Sequence, residues 1–292
     1  MSNAQPSRFS LCFLLAALCA ATTVRAVAQE GAAECRTVAS KILNRPVRYC
    51  ALLPPRYSAN SARRFPVVYF LHGLGGNEQW LLTGGGWELI EQMRRQNRIG
   101  EFVLVTPDAG RTFYINSRDG SERYEDFFLQ EFVPAIETRY RAGGARAARG
   151  VGGISMGGYG ALRFAFRHPQ MFAAVAVHSA ALLEDLPADT TLLFGRNFRA
   201  FGDPLDRAYW RQNTPLALAR TASGLARLRI YLDCGLQDDY GFQIGARRLH
   251  EILERRGTPH EFHLHPGGHN WEYFSEHLDD SLAFLSRALG LQ

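Results

Sequence analysis

Gly153-Ile154-Ser155-Met156-Gly157 stands near the middle of a 292-residue chain, between an apolar run and a helical pattern. The sequence predicts a strand over Gly150–Ile154 and a helix over Gly158–Arg167, joined by a turn with Ser155 at its tip. The motif matches G-x-S-x-G, in which small flanking residues let a crowded strand-to-helix turn expose a serine hydroxyl. The start of the following helix supplies free N–H groups and a positive dipole. Ser155 is therefore a candidate nucleophile.

A serine nucleophile needs a base, and the base needs an acid that orients it. In this strand–turn–helix context, the acid and then the histidine follow the serine along the chain. Asp238 lies just past a predicted strand that ends at Cys234-Gly235, and His269 lies in the loop after the last predicted strand. Loops at the carboxyl ends of parallel strands are where such sheets build their sites. We therefore predict Asp238 as the acid and His269 as the base, with Asp239 as the rival acid.

Other histidines compete with His269 for a chemical role. His178 follows a predicted strand and could line the site, but it precedes any suitable acid, which favours a pocket-wall or core position. His263 and His265 alternate on a strand face, where they could join His269 as metal ligands. Polarity of an exposed strand face is the commoner explanation of such a pattern. The sequence therefore predicts no metal site.

A glycine-rich loop, His72-Gly73-Leu74-Gly75-Gly76, follows another apolar run. Such a loop can direct backbone N–H groups at the oxygen that becomes negative in acyl transfer. We expect the N–H groups of Leu74 and Met156 to form this oxyanion hole. A phosphate-binding loop is the alternative, but no Gly-Lys-Ser/Thr follows and the spacing is not G-x-G-x-x-G. No cofactor is expected.

Apolar β-rich runs alternate with helical patterns along the chain, and several of the runs are apolar throughout. This alternation predicts the α/β class, with a mostly parallel central sheet covered by helices on both faces. Pro134 is expected to kink one of the helices. Residues 181–225 contain no predicted strand and are interpreted as a small helical insertion that forms a lid or pocket wall, or that covers the domain edge. Predicted strands cover 47–53, 66–71, 102–106, 150–154, 172–177, 228–233 and 261–265, and predicted helices cover 87–96, 124–140, 158–167, 242–256 and 273–289.

The N-terminus has the features of a targeting segment. Arg8 is followed by a mostly apolar run, Phe9–Ala21, and then by Ala26-Val27-Ala28. A basic start, a short apolar stretch and an Ala-x-Ala ending are typical of a cleaved secretory signal. The run is shorter than the roughly 20 residues that a membrane-spanning helix needs. We expect a signal peptide over 1–28, a single domain over 29–292, no stable membrane anchor, and a secreted or periplasmic protein.

The cysteines fit an exported protein. Cys12 and Cys19 lie in the predicted signal peptide, which leaves Cys35, Cys50 and Cys234. An odd number in an oxidising compartment leaves one thiol unpaired. Cys35 and Cys50 flank a segment that could form a two-stranded ribbon, so we expect a disulfide between them. Cys234 ends an apolar strand and is expected to be a buried free thiol.

The charge does not indicate a nucleic-acid partner. The chain has 33 basic and 28 acidic residues, for a net charge of +5. Lys41 is the only lysine, so the basic side chains are almost all arginines. They are scattered, apart from a short cluster over Arg139–Arg149. A solvated surface explains this distribution better than a phosphate-binding stripe.

With these motifs in order, the chain resembles an esterase family of α/β-hydrolases. That family includes esterase D (S-formylglutathione hydrolase), feruloyl esterases, tributyrin esterases, enterochelin esterases and the secreted mycolyltransferases. The resemblance extends from about Arg48 to Ala288. Its most specific parts are His72-Gly73-Leu74-Gly75-Gly76, Gly153-Ile154-Ser155-Met156-Gly157-Gly158-Tyr159-Gly160-Ala161, Cys234-Gly235-Leu236-Gln237-Asp238 and Gly267-Gly268-His269.

The resemblance implies an α/β-hydrolase fold and a site in which each predicted residue has a match. Ser155 matches the nucleophile, Asp238 the acid and His269 the base, with Leu74 and Met156 as oxyanion donors. It implies a secreted serine esterase acting on short-chain or aromatic, feruloyl-like esters. Transfer of the acyl group to a sugar or other alcohol is the alternative activity, and a non-catalytic binding module is a remote one. Candidates for the substrate-pocket wall, or else for core packing, are Trp80, Trp87, Tyr114, His178 and Trp271.

Overall fold

The computed structural model describes residues 1–2, 30–58, 62–186 and 199–291. Nearly all of the predicted signal peptide lies outside the described residues, and so do residues 187–198 of the predicted insertion. Within the described ranges, no helix is long and apolar enough to cross a membrane.

An eight-stranded sheet forms the centre of the described part of the chain. In chain order its strands are β1 (Ala32–Ser40), β2 (Arg45–Leu53), β3 (Val67–Leu71), β4 (Val103–Pro107), β5 (Arg149–Ile154), β6 (Ala174–His178), β7 (Arg229–Gly235) and β8 (Glu261–His265). Across the sheet they lie in the order β1-β2-β4-β3-β5-β6-β7-β8. The pairs β1–β2 and β2–β4 are antiparallel, and the other pairs are parallel. The predicted α/β fold with a mostly parallel sheet is confirmed.

Helices cover both faces of this sheet. In chain order they are α1 (Trp80–Thr83), α2 (Gly86–Arg95), α3 (Tyr124–Phe127), α4 (Val133–Arg139), α5 (Met156–Arg167), α6 (Arg207–Asn213), α7 (Pro215–Thr221), α8 (Phe242–Arg255) and α9 (Trp271–Ala288). The buried side chains of α2 and α9 pack on one face of the sheet. Those of α3, α4, α5 and α8 pack on the other face. In β3, Tyr69 belongs to one core and the neighbouring Phe70 to the other, and both are fully buried. Successive strand side chains point to opposite faces, so a strand covered on both sides is apolar throughout.

The helix expected to continue through Pro134 does so, with an irregular turn just before the proline. A π-helical turn, Phe128–Phe132, joins α3 to α4. Pro134 stands in the first turn of α4. Because α3, this turn and α4 form one uninterrupted helical run over 124–139, the missing N–H of Pro134 interrupts the α-helical hydrogen-bond ladder, and the π turn lies directly before that interruption. The irregularity is therefore a π turn just before the proline.

The first two strands form the ribbon that carries the predicted disulfide. Cys35 and Cys50 are direct partners in the β1–β2 register and are disulfide-bonded. The predicted strands do not include β1, because most of its side chains are exposed and give no apolar run. Cys234 is a buried free thiol, as predicted.

A buried ion pair holds α5, the helix that follows the candidate nucleophile, against α3. Arg163 on α5 is 1% exposed, and its Nη1 lies 2.9 Å from Glu125 Oε2. Arg163 Nη2 also donates to Asn213 Oδ1 (2.7 Å), and His168 Nε2 lies 3.2 Å from Glu125 Oε1. Burial alone would raise the pKa of Glu125, but the hydrogen bond from His168 and the charge of Arg163 lower this pKa to about 2.

We expect acid to weaken the fold through Glu125. A carboxyl whose pKa falls on folding stabilises the protein above its unfolded pKa, near 4.5, and this contribution is lost as the pH falls towards 2. Glu125→Gln should lower the free energy of unfolding at pH 7. The difference in free energy of unfolding between wild type and this variant should shrink by about 2 kcal/mol between pH 7 and about pH 3. Urea unfolding measures this, with the exposed Glu88→Gln as control. A difference that does not change with pH would contradict the prediction.

Candidate active site

Ser155 stands between β5 and α5 on a strained turn. Its φ of 54° lies in the left-handed region that non-glycine residues avoid, and its N–H donates to His178 O (3.0 Å). Close backbone contacts require the glycines on either side of it. A Cβ on Gly157 would lie 2.0 Å from Leu71 O, and a Cβ on Gly153 would lie 2.6 Å from the carbonyl carbon of Gly157. The spacing of the motif therefore follows from the room available at this turn.

The structure brings the three predicted catalytic residues into one hydrogen-bonded chain. His269 Nε2 lies 2.9 Å from Ser155 Oγ, and His269 Nδ1 lies 2.7 Å from Asp238 Oδ2. An ionised carboxylate can only accept a hydrogen bond, so Nδ1 carries the proton and Nε2 is left to accept the serine O–H. This arrangement can take the proton of Ser155 as its oxygen attacks a carbonyl, and can stabilise the imidazolium that forms.

The environment of Asp238 keeps it ionised. The side chain is buried, and its Oδ1 accepts the backbone N–H groups of Tyr240 (3.0 Å) and Phe242 (3.3 Å). The thiol of Cys234 lies 3.7 Å from Oδ2. Burial alone would raise the pKa of Asp238, but the hydrogen bond from His269 and the two backbone N–H groups hold this pKa below its ordinary value.

The rival acid, Asp239, holds the histidine loop instead of the imidazole. Its Oδ2 accepts the backbone N–H of His269 (2.9 Å). In the same segment, Gln237 Oε1 accepts the Gly267 N–H (2.7 Å), and the Gln237 N–H donates to Gly267 O (2.9 Å). The two neighbouring aspartates thus have different partners: Asp238 meets the ring of the histidine, and Asp239 meets its backbone.

The loop after β3 places Leu74 at the wall of a cavity that Met156 also lines. Met156 is the first residue of α5, so its N–H has no partner within the helix. His72 fixes the loop. Its Nε2 accepts the Ala109 N–H (3.0 Å), so Nδ1 carries the proton and donates to Gly73 O (2.8 Å). Burial lowers the pKa of His72 and favours this neutral ring. Both predicted oxyanion donors therefore border the cavity that contains the candidate nucleophile.

This cavity, of about 370 Å³, is lined by both Ser155 and His269. Its walls are mainly apolar and aromatic, and no Asp, Glu, Lys or Arg of the described ranges lines it. Ala181, Leu183 and Trp210 come from the described part of 181–225, which thus contributes one wall. The aromatic wall includes Phe113, Tyr159, Trp210, Tyr240, Trp271 and Phe274.

Of the five side chains predicted to line the substrate pocket, Trp271 alone lines this cavity. The prediction is wrong for Trp80, which packs edge-to-face behind Trp271 with ring centroids 5.6 Å apart. It is wrong for Tyr114, which is fully buried and donates its hydroxyl to His72 O (3.0 Å). It is also wrong for Trp87, which packs against the α2–α9 core. These three rings pack in or against the two cores of the fold, Trp80 and Trp87 on one face of the sheet and Tyr114 on the other.

His178, the fifth candidate, lies in a buried polar network instead. Its Nδ1 lies 2.7 Å from Asp233 Oδ2, and both side chains are fully buried. The hydroxyls of Tyr231 (2.9 Å) and Tyr273 (2.8 Å) donate to Asp233, and His178 Nε2 lies 2.7 Å from Ser281 Oγ. Burial alone would raise the pKa of Asp233, but the charge of His178 and these hydrogen bonds lower it. The network ties α9 to β6 and β7.

Five aromatic residues of the cavity wall that lie outside the predicted insertion are missed by the sequence analysis: Phe113, Tyr159, Tyr240, Phe242 and Phe274. Tyr159 and Phe274 each stand in the first turn of the helix that follows a catalytic candidate, Ser155 and His269 respectively. Their position one turn after those residues is the signal that could have found them. Phe113 lies in a loop with a φ of 52°, and no local pattern indicates that it lines the cavity.

Known proteins resemble this chain along most of its length. A family model described as "Putative esterase" matches residues 40–285. An esterase of Mycobacterium tuberculosis is 29% identical over 263 residues, which are 81% of this chain and 56% of that protein. This chain therefore spans little more than half of that relative. An acetyl esterase of Caldicellulosiruptor saccharolyticus is 24% identical over 267 residues, with 85% of this chain and 96% of that protein covered.

Solved structures show the same similarity. A ferulic acid esterase superposes with a TM-score of 0.75 at 28% identity, covering 89% of this chain and 99% of that one. A fluorophosphonate-binding serine hydrolase of Staphylococcus aureus superposes with a TM-score of 0.74 at 20% identity, covering 88% of this chain and 99% of that one. At that identity the second structure shows a shared fold alone.

Proposed function

This chain belongs to the esterase family whose model covers residues 40–285, and from that membership we propose that it is a serine carboxylic-ester hydrolase. The reaction passes through an acyl-enzyme on Ser155. One observation carries the proposal: a hydrogen-bonded chain runs from Ser155 Oγ through the His269 ring to Asp238, and Ser155 and His269 line an aromatic cavity.

The mechanism follows from the atoms that this chain brings together. His269 Nε2 takes the proton of Ser155 as Oγ attacks the ester carbonyl carbon, and the N–H groups of Leu74 and Met156 stabilise the tetrahedral oxyanion. Each such donor contributes about 2.7–4 kcal/mol to transition-state stabilisation. The imidazolium, held by Asp238, gives its proton to the departing alcohol. Water then enters, loses a proton to His269 and releases the acid from the serine.

The proposed substrates are esters with a neutral short-chain or aromatic, feruloyl-like acyl group. Phe113, Tyr159 and Trp210 offer ring surfaces to such a group, and the cavity wall carries no charged side chain from the described ranges. A charged acyl group would lose its hydration there without a partner. The similarity to a ferulic acid esterase and an acetyl esterase supports this substrate class.

We further propose that the protein acts outside the cytoplasm. The signal-peptide pattern over 1–28 supports export. The disulfide between Cys35 and Cys50 agrees with it, because such bonds persist in oxidising compartments.

A panel of esters tests the substrate proposal. We expect hydrolysis of p-nitrophenyl acetate, p-nitrophenyl butyrate and methyl ferulate. For p-nitrophenyl hemisuccinate, whose acyl group carries a carboxylate, kcat/KM should be at least about 10-fold lower than for the butyrate, because the cavity cannot pair that charge. A preference for the charged ester would contradict the proposal. If an added alcohol collects the acyl group in place of water, the products identify the enzyme as an acyltransferase.

A further inference from the structure

Three side chains with metal-binding atoms converge where β8 meets α9. His265 ends β8, and His277 and Asp280 lie on successive turns of α9. One ligand atom of each lies within 4.8 Å of the others. The imidazole rings of His265 and His277 are stacked with centroids 4.1 Å apart, so one ring must rotate about its Cβ–Cγ bond for both lone pairs to meet one ion. His277 Nδ1 lies 3.9 Å from Asp280 Oδ2. None of these residues belongs to the proposed catalytic chain.

An unpaired nitrogen in this cluster points to a missing partner. His265 Nε2 is inaccessible to solvent and has no hydrogen-bond partner within the described part of the chain. A buried polar atom without a partner costs free energy, and a metal ion is one group that would satisfy an imidazole lone pair.

The surrounding charges leave Asp280 available as an anionic ligand. Arg98 lies 2.7 Å from Asp279, and Arg287 lies 3.8 Å from Glu261, so both arginines near the cluster are paired with other carboxylates. Asp280 is about half exposed. It lines a surface cavity of about 440 Å³ together with His265 and His263, which provides an entry path for an ion.

We propose that His265, His277 and Asp280 form a binding site for a divalent transition-metal ion of the zinc class. Two imidazoles and a carboxylate suit such an ion, whereas Mg²⁺ and Ca²⁺ prefer sites built entirely from oxygen ligands. Three protein ligands leave the fourth position for water. The site differs from the one weighed in the sequence, because both ring nitrogens of His269 are engaged by Ser155 and Asp238.

The bound ion would brace the loop that carries His269. This loop, 266–270, runs from the end of β8 to the start of α9, and the proposed ligands stand on both sides of it. A metal that links His265 to His277 therefore closes a short chain segment around the catalytic histidine. Because the ion binds the folded chain, it should raise Tm, by about 5 °C or more when its concentration is 100 times Kd.

Metal titration of the full chain, purified without a polyhistidine tag and stripped with EDTA, tests the proposal. Calorimetry with ZnCl₂ should give one ion per chain with Kd below about 1 μM, and thermal unfolding should show the rise in Tm. Loss of even an outer-shell partner weakens metal sites by about 10–100-fold, so His277→Gln should raise Kd by at least about 100-fold. Asp280→Asn changes a half-exposed side chain and should also weaken binding without affecting the fold.

Two further variants serve as controls. His250→Gln alters a histidine pair elsewhere, in which His250 Nδ1 lies 2.7 Å from His260 Nε2, and it should leave Kd unchanged. His269→Ala should also leave Kd unchanged. Loss of binding in His269→Ala would place the ion in the catalytic site and overturn the proposal. Absence of binding to wild type, or equal binding by wild type and both ligand variants, would overturn it as well. These readouts do not depend on ester hydrolysis.

Discussion

Ser155→Ala is expected to lower kcat for p-nitrophenyl butyrate by about 10⁶-fold, down to the residual rate that binding and the oxyanion hole supply. The reason is that Ser155 Oγ lies 2.9 Å from His269 Nε2, within reach for the proton transfer that activates the serine. The substitution removes a single oxygen and keeps the Cβ that the turn already accommodates, so far-UV circular dichroism and Tm should stay close to those of wild type.

Ser275→Ala is the matched control, because Ser275 stands on α9 and donates its hydroxyl to the helix backbone, at Glu272 O. Its kcat should equal that of wild type. Mass spectrometry gives an independent readout: a fluorophosphonate probe should add one adduct to wild type and none to Ser155→Ala. Equal turnover by wild type and Ser155→Ala would exclude this serine as the nucleophile.

Asp238→Asn should lower kcat by about 10⁴-fold with little change in KM. The carboxylate of Asp238 accepts the Nδ1 proton of His269 (2.7 Å) and so leaves Nε2 free to act as the base. An amide in its place can donate to Nδ1, which favours the tautomer with the proton on Nε2, and that tautomer cannot accept the serine proton. The loss should therefore appear in the chemical step while substrate binding is retained.

The neighbouring Asp239→Asn provides the control for this prediction. Asp239 accepts the backbone N–H of His269, and an asparagine side-chain oxygen can still accept it, so we expect a loss of about 10-fold or less. Pre-steady-state measurement of p-nitrophenol release separates acylation from substrate binding in both variants. If Asp239→Asn is impaired as severely as Asp238→Asn, the assignment of the acid must be reversed.

Much of the fold could be predicted because local patterns carry it. The apolar run of β3 follows from burial on both faces of the sheet, and Tyr69 and Phe70 show both faces in adjacent residues. The exposed edge strand β1 has no such run, so the sequence gives it no signal. Its pairing with β2 is visible in sequence only through Cys35 and Cys50.

The active site also has parts that the local sequence indicates and parts that it does not. Gly153 and Gly157 mark the nucleophile turn in the sequence, because the backbone there has no room for a Cβ. The cavity wall was predicted poorly. Trp80 packs against Trp271 and Tyr114 is fully buried, so neither lines the cavity, whereas Phe113 lines it without any local sequence signal. Distance along the chain does not report which of several aromatic residues occupies the inner layer.

By itself, the sequence determined the α/β class, the strained serine turn and the order of nucleophile, acid and base, because these depend on backbone space and on short-range periodicity. The tertiary structure decided which aspartate meets the ring of His269, which aromatic rings enclose the cavity, and that His265 meets His277 and Asp280. These are contacts between side chains from different elements. They depend on the packing of α9 against the sheet, since helix rotation and strand register set the direction in which each side chain points.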